Sequence, residues 1–146
     1  MKKWVALICL LFVIIVLIIA INFKNADKQR LEVAKFNLTY EEYNTSNLNG
    51  LDIITIINKA VNNNEKYNIS KNEEDIYIPD ENNSIKIYVI FITEDLEKKE
   101  FGMEIINSLG MHPFIENFGE VKFDCTDIQY HGKTGRVSEL TFKAIM

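Results

Sequence analysis

Cysteine, proline, histidine and glycine are all scarce in this chain, at two, two, two and six of 146 residues. Two cysteines make no disulfide framework here, because Cys9 falls inside an apolar run and Cys125 lies far along the chain. A free Cys125 reads most simply as a small buried apolar side chain. No proline-rich linker, internal repeat or low-complexity tract divides the sequence. Excess positive charge is missing too: a net charge of −5 argues against nucleic acid, whose partners usually show a basic patch. No alternating Asp/Asn run leads to a glycine and a closing glutamate, which excludes an EF-hand. Alanine is sparse beside asparagine and isoleucine, a bias of AT-rich bacterial codons rather than a chemical signal.

Charge is also absent from the eighteen residues Trp4 to Ile21, with Lys2 and Lys3 before them and Asn22, Lys24 and Lys28 after. As a helix that run measures roughly 27 Å, close to the thickness of a bilayer's hydrocarbon core. A cleaved signal peptide would have a shorter apolar region and a small-x-small cleavage site. Here Ala20 has bulky Ile18 two positions before it, and Ala26 has Lys24. A retained single-pass anchor in contact with lipid from Trp4 to Ile21 is therefore expected. A lipoprotein site fails at Cys9, which Ala6-Leu7-Ile8 precedes; a prepilin site fails because no glycine precedes the run and no glutamate lies within it. Counting Lys2, Lys3 and the α-amine against Lys24, Lys28, Arg30 and Lys35 favours a cytoplasmic carboxyl side. Long following domains cross largely regardless of charge, whereas a short triply charged tail resists crossing. The expected topology is N-inside, with an extracytoplasmic C-terminal domain.

Residues 1–21 are thus predicted as the anchor, 22–43 as a helical stalk and 44–146 as a small α+β domain. Lys24 to Tyr43 contains neither glycine nor proline and pairs Asp27 with Arg30 and Lys28 with Glu32 at helical spacing. Asn44-Thr45-Ser46-Asn47 reads as a loop. Asn49 is a helix cap, Asp52 favours the positive end of the dipole, and Leu51, Ile54, Ile57 and Val61 line one helical face. Asn62-Asn63-Asn64 is expected to stop that helix. Ile76-Tyr77-Ile78 marks a short extended piece.

Four alternating sets follow. Ile85, Ile87, Val89 and Phe91 form the first; Phe101, Met103 and Ile105 the second, across a Thr93 to Lys99 hairpin. Pro113 opens a short helix burying Phe114, Ile115 and Phe118. Val121, Phe123 and Cys125 make the third strand, whose phase slips before Ile128 and Tyr130, as a bulge near Thr126-Asp127 would cause. Leu140, Phe142 and Ala144 make the fourth. The expected product is an antiparallel sheet of about four strands packed with one main helix and one short one.

Few residues carry chemistry. Cys125, Asp127 and His131, beside Asp124, are the one cluster resembling a zinc site, with Cys125 and Asp127 expected on one face of a strand. The same residues read as a buried thiol, an edge carboxylate and a turn histidine. A thiol enzyme built on Cys125 with His112 or His131 is the competing class, although Asp124 and Asp127 would raise the thiol's pKa. Gly132-Lys133-Thr134-Gly135 contains Gly-Lys-Thr but has Asp127 where a phosphate loop needs its first glycine, so it reads as a hairpin turn. No catalytic, cofactor-binding or metal residue is assigned.

Phe36-Asn37-Leu38-Thr39-Tyr40-Glu41-Glu42-Tyr43, Gly50-Leu51-Asp52-Ile53, Ile57-Asn58-Lys59-Ala60-Val61-Asn62-Asn63-Asn64, the stretch Lys122 to His131 and Lys133-Thr134-Gly135-Arg136 together resemble small membrane-anchored proteins of clostridial, low-GC Gram-positive type. The resemblance covers most of the chain. It implies a cell-membrane location and an architecture; the group has no assigned activity to transfer. The function expected is a non-enzymatic module for interaction or assembly, with a protein partner or with itself. Alternatives are a pilin-like subunit, a thiol- or metal-dependent enzyme at Cys125 and His131, and a cytoplasmic-facing accessory of a membrane complex.

Overall fold

The computed structural model describes residues 2–92 and 97–145. It divides into two compact units, 1–35 and 36–146. Helix α1 spans Lys2–Glu41. Within Leu10–Glu41 lies an 18-residue window apolar enough to cross a bilayer, and none of it is buried. That is compatible with a membrane anchor and equally with a signal sequence.

The second unit is α+β. After α1 come α2 (Gly50–Lys66), β1 (Lys86–Ile92), β2 (Lys98–Gly102), α3 (Met103–Leu109), α4 (Met111–Phe118), β3 (Lys122–Tyr130) and β4 (Val137–Ile145). The sheet has four strands in the order β2-β1-β4-β3. Two of its pairings are antiparallel, as expected, but the central β1–β4 pair is parallel, so the sheet is mixed. A parallel pair needs a long crossover, and here β2, α3, α4 and β3 all lie between the two strands.

Helix α2 begins where the sequence indicated. Asn49 Oδ1 accepts the Asp52 N–H at 3.0 Å while the Asp52 carboxylate accepts the Asn49 N–H at 2.9 Å, a reciprocal capping box. Its Ile53, Ile54, Ile56, Ile57 and Ala60 are almost wholly buried with Ile87, Val89, Phe123, Leu140 and Phe142 of the sheet. Phe91 gathers Phe118 at 4.9 Å, Phe101 at 5.8 Å and Phe123 at 5.9 Å between ring centroids. Such pairs add about 0.5–1.5 kcal/mol each beyond burial. Tyr40 and Tyr43, around the end of α1, are buried in the same core. Leu48 bridges Phe123, so the outer edge of β3 is not left bare.

Four local expectations change. Asn62-Asn63-Asn64 does not end α2, which runs to Lys66 with Tyr67 as its cap. Asn63 and Asn64 are buried helical residues whose amides are spent on the loop beside them. The second strand starts earlier and stops at Gly102, because Met103 and Ile106 are buried on one face of α3. The alternation of Phe101, Met103 and Ile105 was too short to separate strand from helix. One short helix becomes two, α3 and α4. Around Ile76-Tyr77-Ile78 only an isolated Lys71–Tyr77 bridge forms. Residues 93–96 of the expected hairpin lie outside the described residues, although β1 and β2 do pair antiparallel. The slip in β3 is present: register shifts between Cys125 and Asp127, leaving Thr126 as the extra residue.

Candidate functional site

The turn after β3 and the loop at residues 80–85 meet, and His131, Lys133 and Thr134, all singled out from sequence, engage the loop there. Asp80 shapes the loop: its Oδ1 accepts N–H groups of Asn82, Asn83 and Ser84 at 3.1, 2.7 and 2.6 Å. Burial works against ionisation of this carboxyl, but the backbone donors outweigh it and hold the pKa below the usual range. Helix α2 clasps the loop from one side. Asn63 Nδ2 donates to Asn83 O at 2.7 Å, and Asn64 both donates to Ile85 O and accepts from Ile85 N at 2.8 Å.

The β3–β4 turn clasps it from the other. His131 is buried, its Nε2 lies 2.8 Å from Ser84 O, and its backbone N–H donates to Arg136 O at 2.8 Å. A carbonyl oxygen only accepts, so Nε2 is the donor in this contact. Lys133 pairs with Glu81, and Thr134 Oγ1 donates to Asn82 O at 3.0 Å. Arg136 donates to Asn83 Oδ1 and to Tyr67 OH, with its guanidinium 3.7 Å from the Phe36 ring centre and 4.7 Å from that of Tyr67. Asn37 closes the arrangement, donating to Gly135 O and accepting from Val137 N, both at 2.9 Å.

This is a clamp: Asn37, Lys133 and Thr134 donate within the chain, while Arg136 Nε is buried with no partner among the described residues. Lys133 and Thr134 are turned onto the 80–85 loop, so the Gly-Lys-Thr turn holds its own chain where a phosphate loop would present free donors. Gly135 adopts φ 67°, the left-handed value a hairpin turn asks of glycine. The arginine stacked between two aromatic rings was not anticipated. Phe36, Tyr67 and Arg136 are distant in sequence, and no local pattern links them.

The Cys125, Asp127, His131 cluster does not assemble. His131 lies past the end of β3, six residues beyond Cys125, with its ring on Ser84 O at 2.8 Å. The bulge also overturns the expectation that Cys125 and Asp127 share a face: Cys125 registers with Phe142 on the core side and Asp127 with Thr141 on the other. Asp124 accepts the Asn47 N–H at 3.0 Å, and His112 pairs with Glu116 at 3.2 Å on the exposed side of α4. Among the described residues no group of three His, Cys, Asp or Glu side chains is placed to hold a metal.

Cys125 itself is half-buried, and burial pushes its thiol up; the nearby Asp127 charge adds to this and a bond to the Asp127 carbonyl opposes it. The thiolate is the reactive form. In a Cys9→Ala background, iodoacetamide at pH 7.5 is therefore expected to alkylate Cys125 about tenfold more slowly than free glutathione. Equal rates would show that burial does not hold the thiol back, and a faster rate that it is activated.

A second surface stands apart from this clamp. The helices pack on one face of the sheet. The opposite face carries Lys86, Tyr88, Ile90 and Ile92 from β1, Glu139, Thr141, Lys143 and Ile145 from β4, Lys122, Asp124, Asp127 and Gln129 from β3, and Lys98 and Glu100 from β2. Ile90 and Lys86 are buried on it, and Glu104 of α3 reaches Lys86 there at 3.4 Å. Burial lifts the Glu139 carboxyl above its ordinary pKa, and the charges of Asp127 and Glu100 lift it further against the pull of Lys86. Comparison with protein-family models, curated proteins and solved structures finds no match to the chain.

Proposed function

We propose that this chain is a single-pass membrane protein whose domain, residues 36–146, serves as a non-enzymatic interaction module outside the cytoplasmic membrane. The observation that carries the reading is the 18-residue apolar window of α1, none of which is buried. In water so much exposed apolar surface is a liability, and in a bilayer it is the solvent-matched face. The turn of Lys133 and Thr134 onto the 80–85 loop and the raised thiol of Cys125 support a binding role over a catalytic one. Charge narrows the partners: residues 36–146 hold ten basic and nineteen acidic side chains, net −9, which disfavours nucleic acid and other polyanions.

Orientation is the part to test. Glu73 lies in an exposed loop, so Glu73→Cys in a Cys9→Ala, Cys125→Ser background puts one thiol on the domain surface. A membrane-impermeant maleimide should label it in intact bacterial cells. Labelling only after lysis would place the domain in the cytoplasm and overturn the reading. A labelled band lacking the mass of the first 21 residues would show cleavage and remove the anchor.

A further inference from the structure

Charge is divided unevenly along the chain. Residues 36–146 are strongly acidic, whereas residues 1–35 hold six basic and two acidic side chains, net +4. All six cations lie at the ends of the apolar run: Lys2 and Lys3 before it, Lys24, Lys28, Arg30 and Lys35 after it. Trp4 opens the run and is 72% exposed on α1, the place an interfacial indole takes at a bilayer boundary.

Helix geometry sorts the four cations that follow the run. At about 100° per residue, Lys24 and Lys28 lie about 40° apart on one face of α1, and Arg30 lies on the opposite side. Counted from Ile21 at about 1.5 Å per residue, Lys24 stands about 4–5 Å and Lys28 about 10 Å past the hydrocarbon edge. Lys35 stands about 20 Å out, beyond two Debye lengths of about 8 Å at physiological salt. The Cα–Cβ bonds of a helix tilt toward its N-terminus, which here is the direction of the bilayer. Lys24 and Lys28 therefore lean back over a headgroup layer about 5–7 Å deep, and their four-carbon stems carry the ammonium groups into it. Both residues are exposed. Among the described residues Lys24 forms no ion pair, and Lys28 forms one, with Glu32 at 4.0 Å. Exposed pairs of that kind contribute little. Asp27 is short and lies about 60° round the helix from Lys24 and about 100° from Lys28.

We propose that Lys24 and Lys28 bind the headgroups of anionic phospholipid in the leaflet where α1 leaves the bilayer. This adds lipid selectivity to the anchoring read above and rests on it. Near an anionic surface each such cation is worth roughly fivefold in association. A zwitterionic headgroup presents the same phosphate but offsets it with its own cation, so net charge selects the lipid.

The test uses the full chain in phosphatidylcholine vesicles with a trace of spin-labelled lipid, either phosphatidylglycerol or phosphatidylcholine. Electron paramagnetic resonance reads the fraction of label slowed by contact with the helix. Lys2 and Lys3 flank the other end of the run, so every chain compared carries Lys2→Gln and Lys3→Gln. In that background the phosphatidylglycerol label should associate about tenfold more strongly than the phosphatidylcholine label. The preference should shrink in 1 M salt, where the Debye length falls to about 3 Å. Adding Lys24→Gln and Lys28→Gln should bring the two labels to equality, whereas adding Arg30→Gln, on the opposite face, should leave the preference intact. Equality before these changes, a preference that survives the lysine pair, or an equal loss with Arg30→Gln would overturn the proposal. Flotation with unlabelled phosphatidylcholine vesicles reads the anchor separately. A chain left behind overturns the anchor and this proposal with it; a chain that floats but slows both labels equally overturns this proposal alone.

Discussion

Asn64→Ala should cost the domain about 3–5 kcal/mol, whereas Asn62→Ala, two residues earlier in the same run, should change little. Asn64 is wholly buried, and its amide satisfies both the N–H and the C=O of Ile85 at 2.8 Å. Ile85 is the buried residue immediately before β1, where the backbone has no sheet partner to substitute. Alanine would leave two buried backbone groups unpaired at about 1–3 kcal/mol each. Asn62 is exposed on α2, where alanine is the better helix former by up to about 0.7 kcal/mol. Denaturant unfolding of the full chain in detergent micelles, followed by circular dichroism, measures both. Equal effects of the two substitutions would refute the role given to Asn64. Asn64→Asp is a sharper probe: its carboxylate still accepts from Ile85 N but faces Ile85 O with no donor.

Gly50→Ala should lower the melting temperature by roughly 10–20 °C, corresponding to about 3 kcal/mol for a domain of this size. Helix propensity alone anticipates the reverse, since alanine exceeds glycine by about 1 kcal/mol in a helix. Gly50 opens α2 against the end of α4, and its N–H donates to Gly119 O at 3.2 Å. An added Cβ would sit 2.3 Å from Phe118 O and 2.9 Å from Gly119 Cα. These are backbone atoms, which cannot swing aside as the tip of a flexible side chain does. Either α2 or α4 must shift, and both are packed on the same core. A melting temperature equal to or above that of the native chain would show that the helices separate without cost.

These two positions share a reason for having been misread or passed over. Asn64 looked like a helix stop because asparagine tolerates left-handed geometry, and no local pattern marked Gly50. Each is explained by a neighbour far along the chain: Ile85 for the first, Phe118 and Gly119 for the second. The clamp around residues 80–85 extends the same lesson. His131, Lys133 and Thr134 drew attention as carriers of chemistry, but chemistry depends on which donors remain free. The loop they engage lies about fifty residues earlier.

What the sequence determined alone is whatever a single periodic or solvent-matched segment reports. The apolar run of α1 is legible because the length and composition that a bilayer would ask of a helix are both local properties of the chain. The start of α2 is legible because a capping box spans four residues, and the bulge in β3 because a period of two exposes a change of parity at once. The tertiary structure decided the rest: that β1 lies parallel to β4, that Met103 begins a helix, and that Cys125 and Asp127 face opposite ways. Each of these turns on which distant surfaces meet. Side-chain alternation shows that a strand has two faces; only the packed chain shows what covers each of them.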